Sequence, residues 1–121
     1  MSTVQVDYYK FEDGTNPIDP YLNELDMKMR AKTRKVMWML QTFGTNLKMP
    51  YSEHLEDGIF ELRIIQGNNI ERILYFFYIG DRAILTNGFT KKQNKTPRNE
   101  IELAKSRRAD YIRRHGNGKK K

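Results

Sequence analysis

The sequence predicts an α+β domain in which a small, mainly antiparallel sheet packs with an N-terminal helix, or a helical hairpin, and with a C-terminal helix. Residues 59–65, 70–79 and 83–89 are rich in β-branched and aromatic residues, and short turns separate them. Apolar residues recur at nearly helical spacing from residue 22 to residue 43. A last helix is expected to follow Thr96 and Pro97.

The N-terminal part supplies one strand and the first helical region. Val4, Val6 and Tyr8 alternate with polar residues, which predicts a strand. Asp19 followed by proline predicts a helix start, because aspartate can cap a helix and proline is tolerated in its first turn. The pattern is long for one helix, and a break near Asp26 would give a hairpin instead.

Two further segments complete the predicted domain organisation. Residues 45–57 read as a polar loop. The domain is assigned to residues 1–114, since the chain of 121 residues is long enough for one core and too short for two. The Gly- and Lys-rich end, residues 115–121, is expected to be a disordered basic tail.

Composition narrows the possible classes of protein. The chain has no cysteine, which excludes a disulfide scaffold, a thiol nucleophile and a thiolate metal site. With only two histidines it does not favour a structural zinc site, so no metal and no cofactor are expected. No apolar run reaches the roughly 18 residues of a membrane span, and the N-terminus does not resemble a signal peptide. A cytoplasmic protein without membrane association is therefore expected.

The positive charge is concentrated near the C-terminus. Residues 91–121 contain twelve Lys or Arg and three acidic residues, a net charge of +9, whereas residues 1–90 carry −2. This asymmetry indicates a polyanionic or acidic partner, although a solvated, solubilising tail would have the same composition.

Strand pairing predicts an unusual juxtaposition of arginines. If "QGNN" is a four-residue hairpin loop, Arg63 on one strand lies directly opposite Arg72 on the next. If "GDR" is the following turn, Thr90 lies beside Arg72, and Lys91 and Lys92 emerge next to the arginine pair. The sequence thus places four cations around one point of the sheet.

Two explanations for the arginine pair remain open. Like charges opposite each other destabilise a sheet by a few tenths to about 1 kcal/mol, and a bound phosphate would reverse that effect. Removing either arginine would then leave thermal stability unchanged or slightly raised. Alternatively, Arg63 pairs with Glu61 on the same face, or the register slips and turns Arg72 to the other face.

Three segments carry a resemblance to a known family. They are "EHLEDGIFELRI", "ERILYFFYIGDRAILTNGFTKKQNKTP" and "EIELAKSRRADY", which together span roughly residues 50–111. In this order they resemble the HigB-type toxins of the RelE/ParE superfamily, in the phage-like subgroup.

The resemblance implies a RelE-like fold and the toxin of a type II toxin–antitoxin system. The implied activity is a ribosome-dependent, metal-independent endoribonuclease that cleaves mRNA and so inhibits translation. The implied partners are the ribosome, mRNA and a cognate helix-turn-helix antitoxin of the HigA type. Operator DNA would be bound only through the complex with that antitoxin.

The resemblance also implies site residues. Basic residues on the central strands and at the end of the last strand line the family's active concavity, which by position are Arg63, Arg72, Lys91 and Lys92. His54 is a candidate general base or acid because histidine titrates near neutral pH, with Lys91 or Lys92 as the alternative. Further predicted RNA contacts, where basic and aromatic side chains mix, are Lys95, Arg98 and Tyr111.

Two other functions stay open at this point. ParE-like members of the same superfamily inhibit DNA gyrase and cut nothing, and their fold is the same. A non-catalytic nucleic-acid-binding module would also account for the basic C-terminus.

Overall fold

The computed structural model describes residues 3–116, which form a five-stranded sheet with helices on both faces and confirm the α+β fold. The strands are β1 (Gln5–Tyr8), β2 (Ser52–Glu56), β3 (Ile59–Gln66), β4 (Asn69–Tyr78) and β5 (Arg82–Thr90). The helices are α1 (Ile18–Asn23), α2 (Met27–Phe43) and α3 (Arg98–His115). The strand order is β1-β5-β4-β3-β2, with β1 parallel to β5 and all other pairs antiparallel.

The N-terminal helical region is a hairpin, as the break predicted near Asp26 requires. The Asp26 side chain accepts a hydrogen bond from the backbone N–H of Met29 at 2.8 Å and so caps α2. The predicted N-cap, Asp19, lies two residues after the observed one, Pro17. The helix begins at Ile18, because the Asn16 side chain accepts hydrogen bonds from the first backbone N–H groups and takes the capping role expected of Asp19.

The segment predicted to be a polar loop contains a strand. β2 pairs with β3 at the sheet edge, with Ser52 opposite Leu62. The inward-facing residue Ser52 is polar, and its hydroxyl lies 2.5 Å from the hydroxyl of Tyr75. At this inward position a buried hydrogen bond takes the place of an apolar contact. The sequence therefore lacks the apolar alternation that would have predicted a strand.

The register of β3 and β4 is as predicted, and Arg63 lies opposite Arg72. The register of β4 and β5 differs from the prediction by one residue. Phe89, and not Thr90, lies opposite Arg72. The turn is one residue earlier than expected, which shifts the predicted pairing by two residues. An irregularity in the ladder then adds one residue, Thr86, to β5 and reduces the shift to one residue at Arg72.

Two cores lie on opposite faces of the sheet. One forms under α1 and α2 around Leu40, Leu62 and Ile73, and the other forms under α3 around Leu74 and Ile84. Because side chains alternate along a strand, every polar residue of the sheet also belongs to one face or the other.

The C-terminal helix extends one residue into the predicted tail, since α3 includes His115. The rest of the predicted disordered segment, from residue 117 onward, lies outside the described residues. Within residues 3–116 the structure has no helix that is both long and apolar enough to cross a membrane.

Candidate functional site

A cleft of about 680 Å³ lies on the α3 face of the sheet, between the strands, residues 91–97 and the start of α3. Five cationic residues line it, together with two acidic ones. The cations are Arg63, Arg72, Lys91, Lys95 and Arg98, and the acids are Glu53 and Glu56. The cleft thus brings together five of the eight residues predicted from the sequence.

The arginine pair is separated by a buried carboxylate. Glu61 is 0% exposed, and its Oε1 accepts a hydrogen bond from Nη1 of Arg72 at 2.8 Å. The other oxygen, Oε2, lies 3.8 Å from Nε of Arg63. The hydroxyl of Thr96 donates a short hydrogen bond to the same Oε1 and accepts one from Arg72 at 2.8 Å. Glu61 therefore balances one of two adjacent guanidinium charges.

The two guanidinium groups keep unused donors. Arg72 is only 4% exposed, and its Nε is buried without a hydrogen-bond partner among residues 3–116. The same holds for Nε of Arg63, whose side chain is 14% exposed. Buried N–H donors normally have partners, and two cations with one carboxylate leave a net charge of +1. Such a group is suited to bind an anion that enters the cleft.

Part of the cationic rim is neutralised within the protein. Arg98 forms ion pairs with Glu56 and with Glu102, and Lys105 lies 2.5 Å from Glu56. These contacts lower the pKa of Glu56 to about 2, with the hydrogen bond from Arg98 as the largest cause. Arg98 therefore lines the cleft while its charge is already paired.

The two lysines that follow β5, Lys91 and Lys92, have different surroundings. Lys91 lines the cleft, and its backbone N–H donates to the carbonyl of Ile70 at 2.9 Å, which extends the β4–β5 ladder beyond Thr90. Lys92 is exposed and does not line the cleft. Only one of the two lysines that were predicted to flank the arginines does so.

Comparison with known proteins identifies the family of this chain. A family model described as "Phage derived protein Gp49-like (DUF891)" matches residues 20–109, about three quarters of the chain. The chain belongs to this family. The Gp49-like family is toxin-like and is associated with the RelE/HigB-type toxin group, so it is related to toxin–antitoxin toxins and implies an antitoxin partner. No curated protein shows significant sequence similarity.

His54 of this Gp49-like chain does not face the cleft. It lies on β2 and not in a loop, and its ring contacts Phe60 edge-on at 5.0 Å between centroids. Phe60 packs against the core under α2, whereas the neighbouring residue Glu53 lines the cleft. Strand alternation thus directs His54 to the opposite face of the sheet. Its Nε2 accepts a hydrogen bond from the N–H of Gly58 at 3.1 Å.

Tyr111 is also away from the cleft. It is 6% exposed and packs edge-on against Phe76 and Tyr78, while the ring of His115 stacks on it at 4.0 Å. Burial raises the pKa of its hydroxyl. The ring is part of the core under α3 and is not available to stack on a base at the cleft.

Two site residues were not predicted from the sequence. The sequence predicts Glu61 only as an alternative partner of Arg63, and Thr96 only as part of a helix start. A glutamate at an inward position of an apolar strand is a usable signal, because an unpaired carboxylate is rarely buried. Nothing local pointed to Thr96, which is 35 positions away from Glu61.

The described part of the chain shows no cluster of metal-binding side chains. Among residues 3–116, no group of three or more His, Cys, Asp or Glu side chains is arranged to hold a metal ion.

Proposed function

We propose that this Gp49-like protein is a HigB-type toxin that acts as a ribosome-dependent mRNA endoribonuclease and so inhibits translation in the cytoplasm. One observation supports this most directly. The cationic cleft contains the buried guanidinium group of Arg72 and the partly exposed one of Arg63, which share one carboxylate and each keep a buried Nε–H donor unused. This arrangement suits a phosphodiester, whose oxygens accept hydrogen bonds in the fork geometry of arginine.

The proposed reaction is transfer of the phosphodiester to the neighbouring ribose oxygen. A base removes the proton from the 2′-OH, the 2′-oxygen attacks the adjacent phosphorus, and the bond to the 5′-oxygen breaks. The products are a 2′,3′-cyclic phosphate and a 5′-OH. Arg63 and Arg72 stabilise the negative charge that builds on the phosphorane oxygens, because arginine stays protonated.

Proton transfer is assigned by position in the cleft. Lys91 lines the cleft, and as an ammonium group it can protonate the leaving 5′-oxygen. Glu53 also lines the cleft, and its carboxylate forms no hydrogen bond or ion pair with any residue from 3 to 116, so it is free to accept the 2′-OH proton. His54 faces the other side of the sheet, and we assign it no role in proton transfer.

The neighbouring lysines provide a matched test. Purified ribosomes that translate a reporter mRNA should yield new 5′ ends with the wild-type protein, and only during translation. Lys91→Gln should reduce cleavage about a hundredfold or more, whereas Lys92→Gln makes the same change of charge outside the cleft and should leave it nearly intact. Equal losses in both variants would remove Lys91 from the mechanism.

Growth of cells that express the protein, measured beside the ribosome assay, separates the alternatives. Growth arrest with intact transcripts would contradict the proposal and favour a ParE-like gyrase inhibitor. Binding to ribosomes without new 5′ ends would favour a non-catalytic nucleic-acid-binding module.

We further propose that the antitoxin partner is a HigA-like helix-turn-helix protein and that operator DNA is bound through their complex. The net charge of +7 supports an acidic contact surface on that partner. The rate of association should therefore fall as salt rises, and a rate that stays constant from low to high ionic strength would contradict this.

A further inference from the structure

We propose that Glu61 is a positioning residue that couples Arg72 to the basic segment 91–97 through the hydroxyl of Thr96. The two sides of the cleft would then be assembled as one unit. This inference deepens the proposed function and rests on it for the cleavage readout only.

The coupling begins with a closed set of three hydrogen bonds. Nη1 of Arg72 donates to Oε1 of Glu61 and to Oγ1 of Thr96, at 2.8 Å in each case, and Thr96 donates to the same Oε1. Each of the three groups contacts the other two. A displacement of any one of them breaks two hydrogen bonds, and these bonds are strong because a charged group takes part.

Burial makes this set costly to leave incomplete. Glu61 is fully buried, and a buried carboxylate without donors is strongly destabilising. Its Oε1 is used by Arg72 and Thr96, whereas Oε2 makes no hydrogen bond among the described residues and faces Arg63 at 3.8 Å. Glu61 therefore holds Arg72 directly and leaves Arg63 freer to adjust to a ligand.

Thr96 carries the coupling to the segment that bears the lysines. At the start of the segment the backbone N–H of Lys91 is hydrogen-bonded to β4. Near its end the hydroxyl of Thr96 is hydrogen-bonded to Glu61. Lys91 and Lys95, which belong to this segment, both line the cleft. The position of their ammonium groups relative to Arg72 then depends on Thr96.

A second buried carboxylate, that of Glu71, shows which hydrogen-bond partners suffice to bury a glutamate in this sheet. Glu71 is 6% exposed on the opposite face of the same strands, and it accepts hydrogen bonds from Tyr21 at 2.7 Å and from Thr90 at 2.9 Å. Two neutral hydroxyls hold it, and no ion pair with an arginine or lysine occurs there among residues 3–116. The arginine beside Glu61 is thus not required to bury a glutamate in this sheet.

The two threonines provide the controlled experiment. Thr96→Val removes the hydroxyl at Glu61 and Thr90→Val removes the hydroxyl at Glu71, with the same change of side chain. Each variant is compared with the wild type, and Thr96→Ser is included because it keeps the hydroxyl. Thermal melts measure the structural cost of each change, which should be similar for the two valine variants.

Two readouts do not depend on cleavage. Hydrogen exchange of the Lys91 amide, which donates to the carbonyl of Ile70 at 2.9 Å, should become at least about tenfold faster in Thr96→Val only, since local opening of the segment then needs fewer broken bonds. Titration with inorganic phosphate, followed by the ¹⁵N signals of the arginine Nε groups, should show weaker binding in Thr96→Val and unchanged binding in Thr90→Val. Thr96→Ser should restore both properties.

Cleavage on purified ribosomes is the third readout. Thr96→Val should lower kcat about tenfold to a hundredfold with little change in KM, as expected for a residue that positions a catalytic group. Thr90→Val should cleave like the wild type. If wild type does not cleave mRNA at all, the proposed function fails, while exchange and phosphate binding still decide the coupling. If amide exchange and phosphate binding are the same in Thr96→Val and Thr90→Val, the proposed coupling through Thr96 is wrong.

Discussion

Replacing Arg72 should destabilise the protein far more than replacing its neighbour Arg63. Strand pairing alone predicts that losing either arginine leaves stability unchanged or slightly raised. The structure reverses this for Arg72, because its removal leaves the fully buried Glu61 without the donor that lies 2.8 Å away. Arg63 is 3.8 Å from Glu61 and makes no hydrogen bond to it, so for Arg63 the prediction of little change stands.

The magnitude follows from burial. Breaking a buried ion pair by removing one partner costs about 3–5 kcal/mol. At roughly 2.1 cal/mol/K per residue, a chain of 121 residues has an unfolding entropy near 0.25 kcal/mol/K. Arg72→Gln should therefore lower Tm by about 12–20 °C. Arg63→Gln should change Tm by no more than about 4 °C, since the lost interaction amounts to about 1 kcal/mol or less.

The assay is thermal unfolding of four proteins: wild type, Arg63→Gln, Arg72→Gln and the double variant Glu61→Gln with Arg72→Gln. Because the double variant removes both charges, it should be more stable than Arg72→Gln by at least about 1 kcal/mol. If Arg72→Gln melts within about 2 °C of the wild type, or if the double variant is the least stable, the argument from the buried pair is refuted.

Three further predictions follow from other contacts. His54→Gln should keep full cleavage activity on ribosomes, because the ring faces away from the cleft; a hundredfold loss would contradict this. The pKa of Glu56 is lowered to about 2, chiefly by Arg98, so its stabilising effect is present above the ordinary value of 4.5 and is lost as pH falls toward 2. The difference in Tm between wild type and Glu56→Gln should therefore shrink over that range, and a constant difference would refute it. Gly88→Ala should cost about 1–3 kcal/mol in urea unfolding, because the new Cβ would lie 2.5 Å from the ring of Tyr21; an unchanged midpoint would contradict this.

Several features were predictable because they depend on residues close together in the chain. The break between the two N-terminal helices follows from Asp26, which caps α2 by accepting a hydrogen bond from the N–H of Met29, three residues along the chain. The pairing of Arg63 with Arg72 follows from one hairpin, whose turn sets the register of the whole strand pair. Both are local consequences of turn and capping chemistry.

Other features depend on contacts between distant residues. The strand β2 has little apolar alternation, and it is recognised only by its pairing with β3 and by the hydrogen bond between the hydroxyls of Ser52 and Tyr75. The register of β5 was missed because the turn after β4 comes one residue earlier than expected, and the extra residue Thr86 in β5 offsets only part of that shift. An irregularity of this kind is set by packing across the sheet and has no reliable sequence signal.

The charges show the same division. The sequence determined that cations gather near the C-terminus and that two arginines meet on the central strands. Which of them keep their charge free was decided by the tertiary structure. It pairs Arg98 with Glu56, holds Arg72 against Glu61 and leaves Lys91 in the cleft. Electrostatic energy depends on distance and burial, and folding sets both by bringing residues 11 to 42 positions apart into contact.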